Sequence, residues 1–528
     1  MTAASIPFTP AVADDRYKYK YLIAITVSLA SVLELLDTSI VNVAIPHMMG
    51  NLGATLDQIA WVSTGYIVAN VIVLPITGWL SAYFGRRRYF AGSIALFTIA
   101  SFMCGNAGSL GALVFWRIIQ GLGGGALLST SQAILYEEFP REEYGTAMAI
   151  FGVGVMVGPT LGPTVGGWIT DTYGWPWIFY INIPFGMLAL ALTMSFINDS
   201  RHQERATRVD FLGLGLLALG IGCLQTMLER GERLDWWASG QVRLLGITSV
   251  VSLITFVWHE LRTDHPVVDL RILKSRQLAI GVVFGLVLGV CLYATVFVLP
   301  VYLQNIRNFT ANQTGLVILP GALASAFTMG FMGRLQGKFD GRLSIAAGVG
   351  IFALAMWKHA HFTTESGFPD FFWPLIFRGV GLGLIFVPLT NLALADLPMS
   401  KIPNGTGLFN LMRQLGGSVG IALSATLVQR FTAIHRADLA ASVTPYSEAT
   451  RERLAAITNA LIARGDVPAL AQTKAVGFLN GIVTKQAMML SFEQLFLLFG
   501  VVFVLSLALL PLMHRARGLP SGGAAGAH

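Results

Sequence analysis

Long apolar runs alternate with short polar stretches over nearly the whole chain. Each run holds about 20 residues, which lets an α-helix cross a hydrocarbon core roughly 30 Å thick. The pattern predicts an all-α membrane protein with fourteen spans. The predicted spans are residues 22–46, 58–82, 89–107, 110–134, 146–168, 176–197, 210–228, 241–259, 278–302, 313–333, 343–361, 372–394, 405–428 and 489–513.

Composition agrees with this pattern. Of the 528 residues, 54% are hydrophobic and 12% are charged, against about 25% charged residues in an average soluble domain. The polar segment 1–21 lacks an apolar run that ends in a small-residue cleavage site, so we expect the first span to stay as an anchor. The formal net charge of +7 does not indicate nucleic-acid binding, because the basic residues are scattered over alternate loops.

These basic residues predict the orientation of the chain. By the positive-inside rule their loops face the cytoplasm, and an even number of spans then puts both termini there. The basic residues on this side are Arg16, Lys18, Lys20, Arg86, Arg87, Arg88, Arg201, Arg205, Arg208, Arg271, Lys274, Arg276, Lys338, Arg342, Arg515 and Arg517. Opposite loops such as 106–109 and 169–175 are nearly free of Lys and Arg.

An internal repeat divides the chain into two halves. GWLSAYFGRR (Gly78–Arg87) and GRLQGKFDGR (Gly333–Arg342) share Gly, Leu and Arg at equal offsets, and Arg117 and Arg378 lie near the start of a later span in each half. Such repeats are typical of secondary transporters, which bind substrate near the midplane. We expect cytoplasmic tails at 1–21 and 514–528, six-helix bundles at 22–197 and 278–513, and an inserted helix pair at 210–259.

One outer segment, 429–488, is polar and too long for a tight turn. It contains helix-start residues, apolar residues at helical spacing and a final glycine. In chain order these are Thr444 and Pro445, then Leu454, Ile457 and Leu461, then Gly465. Two interpretations stay open: an amphipathic hairpin that rests on the membrane or on the helix bundle, and a docking surface for a periplasmic partner.

The loop after the second span resembles the loop motif of the major facilitator superfamily. In that family the glycines allow close packing and the arginines hold the two halves closed on the cytoplasmic side. The matching residues are Gly78, Leu80, Gly85, Arg86 and Arg87, while Ala82 stands at the usual acidic position. The resemblance implies a gating role, whereas charges that only set topology would explain the arginines but not the glycines.

RIIQG (Arg117–Gly121) resembles the fourth-helix motif of the same family, which implies that Arg117 and Gln120 take part in proton transfer. A buried guanidinium attracts a nearby carboxylate, so a movement that separates the two can release or capture a proton. The alternative is that Arg117 reaches the lipid headgroups from the membrane edge.

GVGVMVGPTLGPTVGGW (Gly152–Trp168) resembles the fifth-helix motif of antiporters in this superfamily. The residues in register are Gly154, Gly158, Pro159, Gly162, Gly166 and Gly167, and Pro163 adds a second proline. Small residues every four positions let helices approach closely, and proline permits a bend. We expect a helix that rocks against its neighbour, with simple close packing as the alternative.

Two acidic residues interrupt the first apolar run, although a carboxylate at the bilayer centre costs roughly 2.5–3.5 kcal/mol. LDTSIVNVAIP, with Asp37 and Asn42, resembles the first-helix motif of the drug:proton antiporter branch with fourteen spans. Glu34 lies three positions earlier on the same helix face, and two such acids cannot both ionise cheaply in an apolar pocket. We expect Asp37 to carry the coupled proton or to face a cationic drug, with Glu34 modulating it. Static pairing of Asp37 with an arginine such as Arg117 is the alternative.

Further segments extend the resemblance to most of the chain. NLMRQLGGSVGIAL places Arg413 in a Gly-rich span, where two interpretations stay open: Arg413 faces the substrate cavity, or a cluster of carbonyl groups neutralises it. GIGCLQTMLERGERLDWW and HPVVDLRILKSRQLAIG are similar to segments of inner-membrane subunits of tripartite drug pumps. The resemblance implies a proton-coupled multidrug efflux antiporter of the bacterial inner membrane, which exports hydrophobic or cationic compounds by alternating access. It also implies a periplasmic adaptor of the membrane-fusion type and a TolC-like outer-membrane channel as partners, with protons as coupling ion and no cofactor.

Other functions fit the sequence less well. An exporter of a metabolite or siderophore without an adaptor is the nearest alternative. Against an enzyme, the chain has no Walker A and no H-E-x-x-H pattern, and GLGGG after Arg117 lies inside a span. His359 and His361 form an isolated pair, so no metal site is expected. Against a receptor, no soluble signalling domain is present.

Overall fold

The computed structural model describes residues 19–200, 209–335 and 339–514. Most of the predicted tails 1–21 and 514–528 therefore lies outside the described residues. The same holds for eight of the basic residues that predict the orientation, which are Arg16, Lys18, Arg201, Arg205, Arg208, Lys338, Arg515 and Arg517.

Helices make up most of the described chain and fall into three groups. The N-terminal group consists of α1 (Lys20–Leu52), α2 (Leu56–Ile59), α3 (Trp61–Val73), α4 (Thr77–Phe84), α5 (Arg86–Gly105), α6 (Leu110–Glu138), α7 (Tyr144–Tyr173), α8 (Trp177–Tyr180) and α9 (Asn182–Phe196). The middle group is α10 (Phe211–Arg230) and α11 (Gly240–Arg262). The C-terminal group consists of α12 (Arg276–Asn305), α13 (Ala311–Leu335), α14 (Gly341–His359), α15 (Phe368–Leu394), α16 (Ile402–Ser442), α17 (Glu448–Ala463) and α18 (Pro468–Leu505).

The helices coincide with the predicted spans, some of which consist of two consecutive helices. In the described part, twelve helices are long and apolar enough to cross a membrane, and α7 makes a thirteenth span if its 41° bend after Pro159 is counted within one span. Helix α14, with 19 residues, occupies the remaining predicted span, but it is not among these twelve, and Arg342, Lys358 and His359 lie near its ends. The fourteenth span therefore stays a prediction.

Helix packing repeats between the halves. In the N-terminal group α1 packs on α7, and α6 packs on both α3 and α5. In the C-terminal group α12 packs on α16, and α15 packs on both α13 and α14. The neighbours thus follow the same order in each half, as the repeated loop motif predicts. One cluster of buried apolar side chains runs through both halves.

The two halves meet through α7 with α13 and through α16 with α4 and α6. On the predicted cytoplasmic side, the Tyr136 hydroxyl donates a hydrogen bond to Asn391 Oδ1 at 2.6 Å. The Tyr144 hydroxyl lies 3.7 Å from Met399 Sδ. These contacts join the halves at the side where the basic loops lie.

The inserted pair α10–α11 contacts both halves. Helix α10 packs on α3 and on α16. Gln225 Nε2 donates to Ser418 Oγ at 2.7 Å, and Trp236 Nε1, which follows α10, donates to Thr426 Oγ1 at 2.9 Å. The pair therefore lies across the seam between α3 and α16.

Much of the predicted outer loop is a continuation of two spans. Helix α16 extends to Ser442 and α18 already begins at Pro468. The 41 residues of α16 give a helix about 60 Å long, roughly twice the thickness of the hydrocarbon core. The segment 429–488 is therefore a helical projection beyond the membrane.

The predicted helix start at Thr444 and Pro445 is wrong by a few residues. Thr444 accepts the backbone hydrogen bond of Ser447 in a turn, and α17 begins at Glu448 after an extended Ser447. Gly465, with φ of 100°, follows the end of α17 as expected. The predicted apolar residues Leu454, Ile457 and Leu461 pack against Ala471 and Ala475 of α18.

Candidate functional site

A fully paired carboxylate lies inside the N-terminal half. Asp37 of α1 has no exposed surface. Its Oδ2 accepts a hydrogen bond from Arg117 Nη1 at 2.6 Å. Its Oδ1 accepts hydrogen bonds from Gln120 Nε2 at 3.0 Å and Asn182 Nδ2 at 2.9 Å. These four residues, the Asp37 cluster, tie together α1, α6 and α9.

The other contacts of Arg117 also come from the N-terminal half. Its Nε donates to the Val62 carbonyl at 3.1 Å, and its Nη1 also donates to Gln120 Oε1 at 2.8 Å. The guanidinium carbon lies 4.1 Å from the centroid of the Tyr66 ring. Because the side chain is 1% exposed, Arg117 points into the bundle and not towards the lipid headgroups.

The second carboxylate lies where the two halves meet. Glu34 Oε1 accepts a hydrogen bond from Asn70 Nδ2 at 2.9 Å, and Asn70 Oδ1 accepts one from Gln414 Nε2 of α16 at 3.1 Å. Glu34 is 3% exposed, and its Oε2 has no side-chain partner among the described residues. A chain of hydrogen bonds through Glu34, Asn70 and Gln414 therefore connects the two halves, and it includes one buried acid.

A second bridge between the halves starts one helical turn earlier on α16. Asn410 Nδ2 donates to Gln132 Oε1 of α6 at 2.6 Å, and Asn410 Oδ1 accepts from Arg413 Nη2 at 3.1 Å. Arg413 is 2% exposed. We call the six residues of both bridges the inter-half layer: Glu34, Asn70, Gln132, Asn410, Arg413 and Gln414.

Glycines of α6 make room for this geometry. A Cβ at Gly124 would lie 2.6 Å from Tyr66 Oη and 3.3 Å from Asn70 Nδ2. A Cβ at Gly125 would lie 2.5 Å from the Asn70 carbonyl oxygen. The GLGGG run after Arg117 therefore packs α6 against α3, and it positions the side chains that reach Glu34 and Arg117.

Glycines of α7 fix the position of α1. The glycines that face α1 at four-residue spacing are Gly154, Gly158, Gly162 and Gly166. A Cβ at Gly158 would lie 2.8 Å from Leu35 Cβ, and one at Gly162 would collide with Ser39 Oγ. Ser39 also donates a hydrogen bond to the Gly158 carbonyl at 3.3 Å. The fifth-helix motif thus packs directly on the first-helix motif.

The remaining residues of the fifth-helix motif contribute less to this contact. Pro159 and Pro163 lie inside α7, and the bend follows Pro159. A Cβ at Gly167 would approach only Val43, at 3.8 Å. Close packing is present, while rocking of α7 against α1 stays a prediction.

The loop motif divides between two kinds of contact. Gly78 lies against Asn404 at the start of α16, where a Cβ would collide with the Asn404 side chain. Arg86 is buried and pairs with Glu137 at 2.5 Å and with Glu138 at 3.1 Å, both at the end of α6. Gly78 therefore touches the C-terminal half, whereas Arg86 bonds within its own half.

Arg87 and Gly85 also bond within the N-terminal half. The backbone N–H of Arg87 donates to Asp199 Oδ1 at 2.9 Å, and its guanidinium donates to the Met194 carbonyl. Gly85 joins α4 to α5 with φ of 86°, a conformation that favours glycine. The arginines were expected to hold the two halves together. The observed contacts differ, because the partners of Arg86 and Arg87 lie near the ends of α6 and α9, within the N-terminal half.

Five of the six residues predicted for proton coupling or substrate binding lie in one of two groups. The Asp37 cluster contains Asp37, Arg117 and Gln120, and the inter-half layer contains Glu34 and Arg413. Asn42 lies apart: it is exposed, and its Oδ1 accepts a hydrogen bond from Ser63 at 3.1 Å. In the part of the chain that the structure describes, no group of three or more His, Cys, Asp or Glu residues could hold a metal ion.

Sequence reasoning missed the amides that hold these charges. Asn70, Gln132, Asn182 and Asn410 are all buried within predicted spans. A polar side chain inside a membrane helix is costly and needs a partner. The argument that singled out Glu34 would have found these amides too, had it been applied to uncharged residues.

Comparison with known proteins agrees with this architecture. The model of the Major Facilitator Superfamily matches residues 27–421. The "Fatty acid resistance protein FarB" of Neisseria gonorrhoeae is 35% identical over 499 residues, which cover 94% of this chain and 96% of that protein. The "Multidrug export protein EmrB" of Escherichia coli (strain K12) is 33% identical over 508 residues, which cover 96% of this chain and 98% of that protein.

A solved structure shares the fold at much lower identity. The crystal structure of the human organic anion transporter MFSD10 superposes with a TM-score of 0.58 and 13% identity, and the match covers 92% of this chain and 99% of that chain. The family match covers both six-helix halves up to α16, and the relatives match nearly end to end. The chain therefore belongs to the Major Facilitator Superfamily and is a secondary transporter, not an enzyme.

Proposed function

We propose that the protein exports several hydrophobic and cationic drugs across the bacterial inner membrane in exchange for protons. The EmrB relative is named for multidrug export, and its similarity extends over nearly the full length of both chains. The buried polar residues between the halves give this function a physical basis. Membrane helices keep such residues mainly where they bind a substrate or move an ion.

The observation that carries the proposal is the position of Glu34 between the halves. One of its oxygens is held by Asn70, which is bonded in turn to Gln414 of the other half. A proton and a drug cation both neutralise the same buried carboxylate, so each excludes the other. Exchange follows when each form of Glu34 favours a different arrangement of the two halves.

Asp37 takes a different part in this proposal. Its three hydrogen bonds all come from the N-terminal half, so its environment would change little when the halves move as rigid bodies. We assign it the positioning of α1 against α6 and α9. The prediction that Asp37 itself carries the coupled proton is the competing hypothesis, and the experiment below distinguishes the two.

The partners and the orientation are also proposals. The projection formed by the outer ends of α16 and α18 with α17 offers a surface for a periplasmic adaptor of the EmrA type, which would connect to a TolC-like channel. Both termini would face the cytoplasm. Photo-crosslinking from positions on α17 in cells that contain such an adaptor tests the partnership, and an export rate that is independent of the adaptor would favour a stand-alone exporter.

Drug-driven proton movement in proteoliposomes tests the exchange. A pH-sensitive dye inside the vesicles reports protons when ethidium is added to wild type, Glu34→Gln or Asp37→Asn protein, with empty liposomes as control. The proposal expects coupled movement in the wild type and its loss in Glu34→Gln. Coupled movement in Glu34→Gln together with its loss in Asp37→Asn would assign the proton to Asp37, and no movement in the wild type would refute exchange.

A further inference from the structure

Arg378 of α15 is a buried cation without a counter-charge. It is 7% exposed, and its Nε has no hydrogen-bond partner among the described residues. No carboxylate in the described part of the chain stabilises its charge. A guanidinium stays positively charged even when it is buried, and a buried charge without compensation is strongly destabilising. We therefore expect Arg378 to bind a negative group that comes from outside the chain.

The equivalent arginine of the other half shows which group is missing. Arg117 and Arg378 lie on α6 and α15, the helices that have the same place in the packing of each half. Arg117 pairs with Asp37 of α1 at 2.6 Å. Helix α12 takes the place of α1 in the C-terminal half, and its sequence contains no Asp or Glu. The repeat therefore preserves the cation but not its acidic partner.

The acids nearest to this region are engaged elsewhere. Glu493 of α18 interacts electrostatically with His361 and His435. Asp370, at the start of α15, accepts a hydrogen bond from the backbone N–H of Gly367 at 2.7 Å. Neither acid supplies the charge that Arg378 lacks.

His359 of α14 provides an open acceptor beside this cation. It has no exposed surface, and the charge of Arg378 acts on it. Its Nδ1 lies 2.6 Å from the Ala355 carbonyl oxygen, which can only accept, so Nδ1 carries the proton. The neutral ring then has a bare lone pair at Nε2, and this atom has no hydrogen-bond partner within the described ranges.

The directions of the two helices bring these side chains together. Helices α14 and α15 are antiparallel, and a Cβ at Gly348 would lie 2.8 Å from the Gly381 carbonyl oxygen. This register places Arg378 deeper than His359 by less than two helical turns. Because side chains lean towards the start of their own helix, Arg378 extends outwards and His359 extends inwards. The bond of the imidazole to the Ala355 carbonyl fits this direction.

A cleft at the predicted outer side gives access to this region. Its volume is about 470 Å³, and its lining includes Lys358, His361, Phe362 and Pro374. Pro374 lies one helical turn before Arg378 on α15. The cleft therefore brings the outer solution to within about one turn of the arginine.

We propose that Arg378 and His359 bind a small protonated oxyanion, of which hydrogencarbonate is the simplest. Its charged oxygens accept hydrogen bonds from the guanidinium, and its O–H donates to His359 Nε2. A water molecule would satisfy the imidazole but leave the charge uncompensated, and a halide ion would leave the imidazole without a donor. The bound anion thus takes the part that Asp37 has in the N-terminal half. The inference goes beyond the proposed export, since neither residue belongs to the inter-half layer.

Two anions of similar shape test the site without any substitution. Hydrogencarbonate and nitrate are both planar and singly charged at mildly alkaline pH, but nitrate has no O–H. Thermal unfolding of the purified wild-type protein in detergent reports binding, because a ligand of the folded state raises the midpoint. One additional hydrogen bond predicts about tenfold tighter binding of hydrogencarbonate at equal ionic strength. Equal responses to the two salts, or no saturable response to either, would overturn the proposal.

Two substitutions assign the effect to its residues. Arg378→Gln is expected to abolish the response to hydrogencarbonate, because it removes the charge. His359→Phe keeps an aromatic ring against Phe362 and Phe496, and it should lower the affinity for hydrogencarbonate to that for nitrate. A hydrogencarbonate response that survives Arg378→Gln, or an unchanged preference in His359→Phe, would contradict the assignment.

A neighbouring histidine supplies the matched control. The Nδ1 of His361 lies 2.7 Å from the Trp357 carbonyl oxygen, the same kind of contact that His359 makes, but His361 is exposed. His361→Phe should keep the preference for hydrogencarbonate over nitrate. Loss of the preference in His361→Phe, with His359→Phe like the wild type, would place the anion in the outer cleft and refute the buried site.

Discussion

Two carboxylates one helical turn apart on α1 have opposite surroundings. Asp37 accepts three hydrogen bonds, one of which is also its ion pair with Arg117, and all three come from the N-terminal half. Glu34 accepts one hydrogen bond from Asn70, and this amide is shared with Gln414 of the C-terminal half. The same helix face therefore carries a completed charge pair and an incompletely paired acid.

The comparison teaches that burial alone does not identify the group that responds to a conformational change. A movement of the halves leaves the partners of Asp37 in place but separates Asn70 from Gln414, next to Glu34. Arg117 and Arg413 differ in the same way, since the Nε and Nη1 of Arg117 are bonded within its own half, whereas those of Arg413 have no hydrogen-bond partner among the described residues. The residues that bridge the halves are thus the candidates for coupling.

Glu34→Gln is the change with the largest expected effect. The amide keeps an oxygen that can accept from Asn70 but cannot exchange a proton, so the protein should fold and bind neutral drugs while drug-driven proton movement disappears. Proteoliposome assays measure the coupling, and thermal unfolding in detergent measures the fold. The matched control is Glu493→Gln, a partly buried acid of α18 outside the inter-half layer. Drug-driven proton movement that persists in Glu34→Gln would contradict the assignment of the coupled proton to Glu34.

Asp37→Asn should act mainly on stability. Neutralising Asp37 leaves the Arg117 guanidinium buried without its counter-charge, a change that costs about 3 kcal/mol or more. We expect a clear fall in the midpoint of thermal unfolding, and partial recovery when Arg117→Gln is added, because the pair is then neutral. Asp171→Asn, at an exposed carboxylate of α7, serves as the control. An Asp37→Asn midpoint equal to that of the wild type would show that the pair is not a structural element.

Gly124→Ala tests the packing that positions both regions. The added methyl would lie 2.6 Å from Tyr66 Oη and 3.3 Å from Asn70 Nδ2, and overpacking of this kind costs about 1–3 kcal/mol. Because Asn70 holds Glu34, the affinity for ethidium should change together with the unfolding midpoint. Gly92→Ala in α5, where the added methyl would meet nothing within 4 Å beyond the adjacent backbone of its own helix, should change neither. Equal behaviour of the two alanine variants would argue against close packing at Gly124.

Lys474→Gln should have the smallest effect. Lys474 pairs with Asp466 at 2.5 Å near the start of α18, and its side chain is 44% exposed. Exposed ion pairs contribute at most about 1 kcal/mol, so unfolding, binding and proton coupling should all stay close to the wild type. A loss of export in cells with unchanged transport in vesicles would instead indicate that this part of the projection binds a partner.

The fold could be predicted from the sequence because its main determinants are local and periodic. Apolar runs of about 20 residues identify membrane spans without any information on how the helices pack. The repeated loop motif predicts two equivalent halves. The outer projection was harder to predict, since the polar residues of α16 and α18 end the apolar runs but not the helices. Periodicity found Leu454, Ile457 and Leu461, while the exact start of α17 depended on the turn before Ser447.

The site could be predicted only in part. Motifs and the cost of buried charge identified Asp37, Glu34, Arg117 and Arg413, but the pair of Asp37 with Arg117, which the structure shows, was only the alternative interpretation of Asp37. Pairing is a tertiary property: Asp37 and Arg117 lie 80 residues apart in the chain and meet only where α1 packs on α6. The contacts of Arg86 were missed for the same reason, since nothing in the loop motif indicates that Glu137 and Glu138 lie beside it.

The most direct test of the account is proton release on drug binding. Ethidium is added to purified protein in a weakly buffered detergent solution near neutral pH, and a pH electrode counts the protons released per bound dye. The account predicts release from wild type and from the folded fraction of Asp37→Asn, and none from Glu34→Gln. Release from Glu34→Gln, with none from Asp37→Asn, would contradict it.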